Sequence, residues 1–349
     1  MAQVRSALAR LAGPVLAAVA LAACVSPAGL DLRALPPGLP ERVEIAAVPF
    51  VPQDELYCGP AALATVLSWS GAAARQAELA PAVFTPGRAG TLQQDMLSAA
   101  RRHGRLAVPV ADFAGLLAEL SAGHPVLVLQ NLGLAFAPQW HYAVAIGYDR
   151  AAGELVLRSG REARRRVPFA TFERTWARAD HWALVILPPD RLPATGAADE
   201  LLQAGAGLER IGQLGAAAIT YQTALERWPD SQGAMIGLAN ARYGSGELAE
   251  AEHALRHATR AHPDSAAAWN NLAHVLAERG RHEAALAAAR QAVALGGPLA
   301  PVARATEAEI LEHRSQGRES STSRAIALAE SPTALPAPPQ APLTARGGI

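Results

Sequence analysis

The C-terminal part of the chain repeats with a period of 34 residues. The segment Trp228-Pro229-Asp230-Ser231 recurs as His262-Pro263-Asp264-Ser265. Further identities relate the two copies at the same offset: Leu238 to Leu272, Ala239 to Ala273, Gly246 to Gly280, Ala251 to Ala285 and Ala254 to Ala288. A unit of this length holds a pair of helices that cannot bury its apolar face alone. The period therefore restricts this part of the chain to stacked helical hairpins.

The period resembles that of the tetratricopeptide repeat, and small residues stand where paired helices would meet. Residues 199–229 fit as a degenerate first copy, with Gly212 and Ala217 in register with the later copies. We predict about three repeats over residues 199–298, which is enough for a stacked all-α domain. The resemblance implies that this domain binds a partner protein. The alternative is an ordinary alanine-rich helical bundle.

The segments on either side of the repeats have a different composition. Residues 188–198 are predicted to be a linker because they are rich in Pro and lack a strand or helix pattern. From about Pro298 the pattern is lost, and residues 331–339 are dominated by Pro and Ala. We predict that residues 299–349 form a low-complexity tail that is largely disordered.

The N-terminus has the pattern of an export signal. Arg5 and Arg10 precede a short apolar stretch over residues 11–20, which is too short to span a bilayer permanently. The following Leu21-Ala22-Ala23-Cys24 resembles the lipobox of bacterial lipoproteins, which implies that Cys24 is acylated. We predict a signal peptide over residues 1–23, a tether over residues 24–43, and a lipid-anchored protein of the bacterial envelope, at the outer membrane facing the periplasm. The alternative is an ordinary secretory signal cut near Ala23.

Residues 44–190 have the pattern of an α+β domain. A first strand is predicted over residues 42–51, followed by helical segments such as residues 58–69 and 91–103. Strand segments at residues 125–130, 141–148, 154–158 and 181–187 come later, so a mostly antiparallel sheet is expected. The chain carries no net charge, which does not favour nucleic-acid binding. Its two cysteines are too few for a disulfide scaffold or a multi-thiolate metal site. We expect no cofactor and no metal.

Cys58 is the candidate nucleophile of this domain. It precedes Gly59-Pro60 and an apolar run, and Pro is favoured in the first turn of a helix, so Cys58 is predicted at a helix N-terminus. There the helix dipole favours a thiolate. His141 opens a predicted strand and is the candidate base, with His181 as an alternative. Gln53 is a candidate oxyanion donor together with the Cys58 N–H. The structural alternatives are a buried, inert cysteine and an ordinary sheet histidine.

Gln53, Cys58-Gly59-Pro60-Ala61 and the run from His141 to Asp149 together resemble the bacteriocin-processing (double-glycine leader) cysteine peptidases, and more closely their stand-alone relatives. The resemblance covers roughly residues 44–188. It implies a papain-like fold, with Gln53 in the oxyanion hole, Cys58 as nucleophile and His141 as base. Exported relatives with C-terminal tetratricopeptide repeats look similar in architecture.

The sequence departs from this family at the third catalytic position. The family expects an Asp on the strand after the histidine hairpin, and Ser159 stands there instead. Either Ser159 orients the imidazole of His141, or Asn131, Asp149 or Glu162 takes that role. Without a third group, a cysteine–histidine pair retains reduced activity.

The sequence thus predicts an exported, membrane-anchored thiol peptidase whose repeats recruit a peptide or protein substrate or a partner. One rival is a degenerate, peptide-binding scaffold lipoprotein of the envelope. A second rival is a transferase or amidase with the same thiol chemistry. The basic run at residues 161–166 is predicted to be a solvated hairpin edge, with binding of an acidic substrate or a lipid headgroup as the alternative.

Overall fold

The computed structural model describes residues 35, 37–52, 57–88 and 90–316. The predicted signal peptide, Cys24, most of the tether, Gln53 and residues 317–349 lie outside the described residues. Within the described part of the chain, no helix has both the length and the apolar character needed to cross a membrane.

The N-terminal domain, residues 42–187, is built on a seven-stranded antiparallel sheet. The strand order is β4-β9-β5-β6-β7-β8, and β1 pairs with the far end of β6. A separate two-stranded pair, β2 and β3, lies outside this sheet. The strands are β1 Arg42–Glu44, β2 Phe84–Thr85, β3 Gly90–Thr91, β4 Leu106–Pro109, β5 Val126–Asn131, β6 Trp140–Asp149, β7 Glu154–Ser159, β8 Glu162–Pro168 and β9 Ala183–Leu187.

Five helices cover the two faces of this sheet. Helix α1 packs against the face that carries Tyr142, Val144 and Ile146, and together they form the main apolar core. On the opposite face, Gln130 donates to Thr175 of α5 at 2.6 Å. The helices are α1 Cys58–Trp69, α2 Gln76–Val83, α3 Gln93–Arg102, α4 Phe113–Ser121 and α5 Phe169–Ala177.

Several elements differ from those predicted. The first strand is much shorter than residues 42–51, and helix α2 and the β2–β3 pair were not predicted. The last strand begins at Ala183 rather than at His181, because Asp180 and His181 have φ of 51° and 52° and form a turn. The basic run forms the exposed edge strand β8, as its composition indicated.

The C-terminal region is a run of antiparallel helix pairs. Ser231 and Ser265, at the two copies of the repeat signature, each cap a helix by accepting the N–H three residues later, from Ala234 and Ala268. The helices are α6 Ala198–Arg210, α7 Leu214–Arg227, α8 Gln232–Gly244, α9 Leu248–Ala261, α10 Ala266–Glu278, α11 His282–Leu295 and α12 Ala300–Gln316.

The prediction of a structureless tail from residue 299 was wrong for its first part. Helix α12 packs against α11 and α10, and it buries Ala303, Thr306 and Ile310. These residues are spaced by three and four, so they form one helical stripe. Terminal units of repeat arrays are atypical because they only have to cover their neighbour, which is why the 34-residue identities do not extend to this helix.

The repeats are held firmly against the N-terminal domain. Helix α6 packs against the edge strand β4. The guanidinium of Arg101 lies so close to Gly207 that a Cβ there would be 2.4 Å from its Cζ. Gln213 donates to the carbonyl of Arg102 at 3.0 Å. The linker is fixed as well, because Thr195 donates to the buried carboxylate of Glu119 through its N–H and its hydroxyl.

Candidate active site

Cys58 is the first residue of α1, where the N–H groups of a helix have no partner within the helix. The backbone N–H groups of Tyr142, of Gly59 and of Cys58 itself lie close enough to its sulfur to favour the thiolate. The Tyr142 N–H places the thiol near the start of β6, next to His141 in the sequence. The fold therefore brings together two segments that are more than eighty residues apart in the sequence.

A close contact fixes the start of α1 in this position. The Tyr142 hydroxyl donates to the carbonyl of Thr91 at 3.2 Å. A Cβ on Gly59 would lie 2.4 Å from the Thr91 hydroxyl oxygen, so only glycine fits there. The glycine that follows Cys58 is thus explained by the approach of β3, a contact that the sequence did not reveal.

His141 is held by Ser159. Its Nε2 lies 2.8 Å from the Ser159 hydroxyl oxygen, and Ser159 is only 3% exposed. His141 pairs directly with Gln130, which lies on the face opposite Tyr142. Ser159 meets the imidazole on that same face. The structure thus places the predicted third residue beside the predicted base, and it leaves Nδ1 as the ring nitrogen available for a thiol.

The other candidates for the third position contact different groups. Asn131 accepts from the N–H groups of Gly133 and Gln139 in the loop before β6, at 3.0 and 2.9 Å. The carboxylate of Asp149 accepts from the N–H of Ala152 in the turn after β6 and lies 3.9 Å from Arg42.

Glu162 and His181 have partners of their own. Glu162 is exposed at the start of β8 and lies 3.8 Å from Arg165. His181 contacts Glu173 at 2.7 Å, and its ring packs edge-on against Trp176 with centroids 4.8 Å apart. Of all the candidates considered, only Ser159 hydrogen-bonds to His141 among the described residues.

The electrostatics of the site favour a neutral pair. Burial raises the pKa of the Cys58 thiol and outweighs the three N–H groups that favour the thiolate. Burial, with a smaller contribution from the positive charge of Arg165, lowers the pKa of His141 to about 4. The direction of the Cys58 pKa is thus opposite to the one expected for a helix N-terminus, because desolvation outweighs the nearby backbone N–H groups.

Within the described residues, no hydrogen bond or ion pair joins Cys58 to His141. Catalytic hydrogen bonds in ligand-free structures are often long and shorten only in the substrate complex. The described part of the chain also has no group of three or more His, Cys, Asp or Glu able to hold a metal ion.

Exposed apolar side chains flank both candidate catalytic residues. Tyr57 precedes Cys58, and four more lie in or next to the loop that leads to His141: Leu132, Leu134, Phe136 and Trp140. Phe136 at the tip of this loop is 83% exposed. Among the described residues of the N-terminal domain, large apolar side chains are exposed only in these two segments. The sequence signal for this patch is the absence of any charged residue over positions 131–140.

Two family models match the chain. Residues 45–183 match the Peptidase_C39 like family, and residues 202–251 and 236–300 match the tetratricopeptide repeat. These matches confirm the predicted fold class, a C39-like sheet domain followed by repeat helices. No curated protein matches the chain.

Several solved structures are similar to parts of the chain. A C39-like peptidase from Bacillus anthracis is 20% identical over 42% of this chain and 98% of its own, with a TM-score of 0.37. A double glycine motif protease from an AMS/PCAT transporter, in complex with the leader peptide, is 20% identical over 40% of this chain and 90% of its own, with a TM-score of 0.31. The MamA protein is 21% identical over 34% of this chain and 70% of its own, with a TM-score of 0.28.

Proposed function

We propose that this chain, a C39-like peptidase domain followed by tetratricopeptide repeats, is an exported, lipid-anchored thiol peptidase. Cys58 would be the nucleophile, His141 the base and Ser159 the group that orients it. Gln53 and the Cys58 N–H would bind the oxyanion. The observation that carries the proposal is the 2.8 Å hydrogen bond between His141 and Ser159. The residue after His141, Tyr142, has its backbone N–H near the Cys58 sulfur.

In the first half of the reaction, the Cys58 sulfur attacks the carbonyl carbon of a peptide bond while His141 takes the thiol proton. The negative charge moves to the carbonyl oxygen, which the N–H groups at the start of α1 face. The intermediate then expels the amine, which takes the proton back from the imidazolium and leaves a thioester. In the second half, His141 removes a proton from water, the hydroxide attacks the thioester, and the acid and the thiol are released.

Because both groups are neutral at rest, proton transfer from Cys58 to His141 has to accompany the attack. A base whose pKa is about 4 accepts this proton poorly. A negative charge on a bound peptide would raise the pKa of His141, so we expect the pair to become active only in the substrate complex.

The apolar patch supports a peptide as the substrate. Tyr57 and the loop bearing Phe136 stand on the two segments that lead into Cys58 and His141. Large exposed apolar groups at one place mark a binding surface more often than chance exposure. We infer that apolar side chains of the substrate pack here on either side of the bond to be cut.

The repeats would recruit the substrate or a partner protein. Their fixed attachment through Arg101, Gly207 and Gln213 would hold a protein bound to the repeats at a constant distance from the thiol. The lipobox-like segment ending at Cys24 supports anchoring in the bacterial envelope, at the outer membrane. Metabolic labelling with a palmitate analogue, lost in Cys24→Ser, tests the anchor separately from the chemistry.

The experiment for the enzyme is incubation of the purified protein with a thiol-reactive peptide probe and with a proteome-derived peptide pool. We expect labelling at Cys58 and new peptide termini by mass spectrometry. Cys58→Ala should abolish both, and His141→Ala should reduce both. Products joined to an added amine would indicate a transferase instead of a hydrolase.

A scaffold that binds peptides without cutting them is the second candidate. The neutral thiol and imidazole, and the absence of a hydrogen bond or ion pair between these two described residues, favour it. In that case Cys58→Ala binds peptides of the pool as tightly as the wild type, and neither protein produces new termini.

A further inference from the structure

The basic strand β8 carries arginines on both faces of the sheet, and those on the face of α1 have acidic partners. Arg164 forms an ion pair with Glu44 of β1. Arg166 lies 3.1 Å from Glu154 of β7. These positive charges are therefore already compensated within the domain.

Arg165 lies on the other face, with His141 and Ser159. It pairs directly with Leu157 of β7, and directly paired residues share a face of the sheet. Ser159, which contacts His141, pairs directly with Glu162 of β8 beyond a shift in the register, so Ser159 and Glu162 share a face of the sheet. The acidic neighbour of Arg165 is Glu162, at 3.8 Å, and both side chains are about half exposed. Such an exposed ion pair contributes little to stability.

The charge of Arg165 reaches the imidazole, since it is the one charged group that contributes to the lowered pKa of His141. A positive charge beside the base opposes the imidazolium that forms during attack by the thiol. A negative charge bound at Arg165 would remove this opposition. This arrangement favours a substrate that carries a carboxylate.

We propose that Arg165 binds a carboxylate of the substrate on the leaving-group side of the bond that is cut. This inference rests on the proposed thiol chemistry and adds a substrate class to it. His141 returns the proton to the leaving amine, so a charge that acts on the imidazole is expected near the leaving half of the peptide. The carboxylate is that of an acidic side chain or of a free C-terminus close to the bond.

The test uses a pair of small reagents that differ in charge. Cys58 is alkylated with iodoacetate, which is anionic, and with iodoacetamide, which is neutral, and the ratio of the two rate constants is measured at low ionic strength. We expect the ratio to fall about threefold or more in Arg165→Gln. Arg165→Lys should retain most of the wild-type ratio. Arg166→Gln is the matched control, since it removes the same charge one residue away on the opposite face and should leave the ratio unchanged.

The peptide pool then identifies the source of the carboxylate. Cleavage before internal Asp or Glu in peptides with amidated C-termini indicates the side chain, and cleavage confined to peptides with a free C-terminus close to the bond indicates the terminal group. Equal ratios in wild type and Arg165→Gln overturn the role of Arg165 alone. If neither reagent modifies native Cys58, the proposed thiol chemistry fails and this inference fails with it.

Discussion

Replacing Ser159 tests the central contact of the site. A serine hydroxyl both donates and accepts, so it binds either tautomer of the His141 ring. Only the tautomer with the proton on Nε2 leaves Nδ1 free to take the thiol proton. An ionised carboxylate accepts only, so Ser159→Asp would select that tautomer and raise the pKa of His141.

The magnitude follows from the type of hydrogen bond. A neutral bond such as the 2.8 Å contact contributes about 0.5–1.5 kcal/mol, and a bond to a charged group about 1.5–3 kcal/mol. Ser159→Ala should therefore slow the reaction of Cys58 by about 2- to 13-fold. Ser159→Asp should accelerate it by about 5- to 13-fold relative to wild type, since the two types of bond differ by about 1–1.5 kcal/mol. Because Ser159 is buried, the aspartate variant should also lose stability, partly offset by Arg165.

The assay is the rate of Cys58 alkylation by iodoacetamide at pH 7, followed by cleavage of the peptide pool. Thermal melting shows whether each variant is folded, and alkylation in concentrated urea should give equal rates for all of them. Folded alanine and aspartate variants that both react at the wild-type rate would refute the orienting role of Ser159.

Three further outcomes are expected. Between pH 6.5 and 4 the wild type should lose up to about 3 kcal/mol more stability than His141→Asn. The reason is that His141 binds a proton in the unfolded chain in this range, whereas in the folded site its pKa is about 4. Urea denaturation that gives the same loss of stability for both proteins would contradict this. Glu119→Ala should lower the free energy of unfolding by about 3–5 kcal/mol, since it leaves His124 and the N–H groups of the linker without their hydrogen-bond partner. Glu119→Gln should lose less stability. Gly59→Ala should lower the free energy of unfolding by about 1–3 kcal/mol, measured by thermal melting. Adding Thr91→Gly to this variant should restore most of the lost stability, because it removes the side chain that the new Cβ would meet.

The sequence by itself determined the elements with strong local signals. Turn residues, alternation and the 34-residue period predicted the sheet domain and the repeat helices, and Pro60 marked the start of the helix that Cys58 begins. Short elements such as α2 and the β2–β3 pair were missed, since a few residues give no readable period. Helix α12 was missed because it covers the last repeat without repeating its sequence.

Only the tertiary structure decided which of the candidate residues lies next to His141. The sequence left four candidates for the third position, and the strand pairing placed Ser159 on the face of His141 while Asn131, Asp149 and Glu162 contact other groups. The charge states of Cys58 and His141 could not be predicted from the sequence either, because burial is a property of the packed domain. A helix N-terminus can be predicted from local pattern, but the desolvation that raises the pKa of Cys58 depends on everything packed around the thiol.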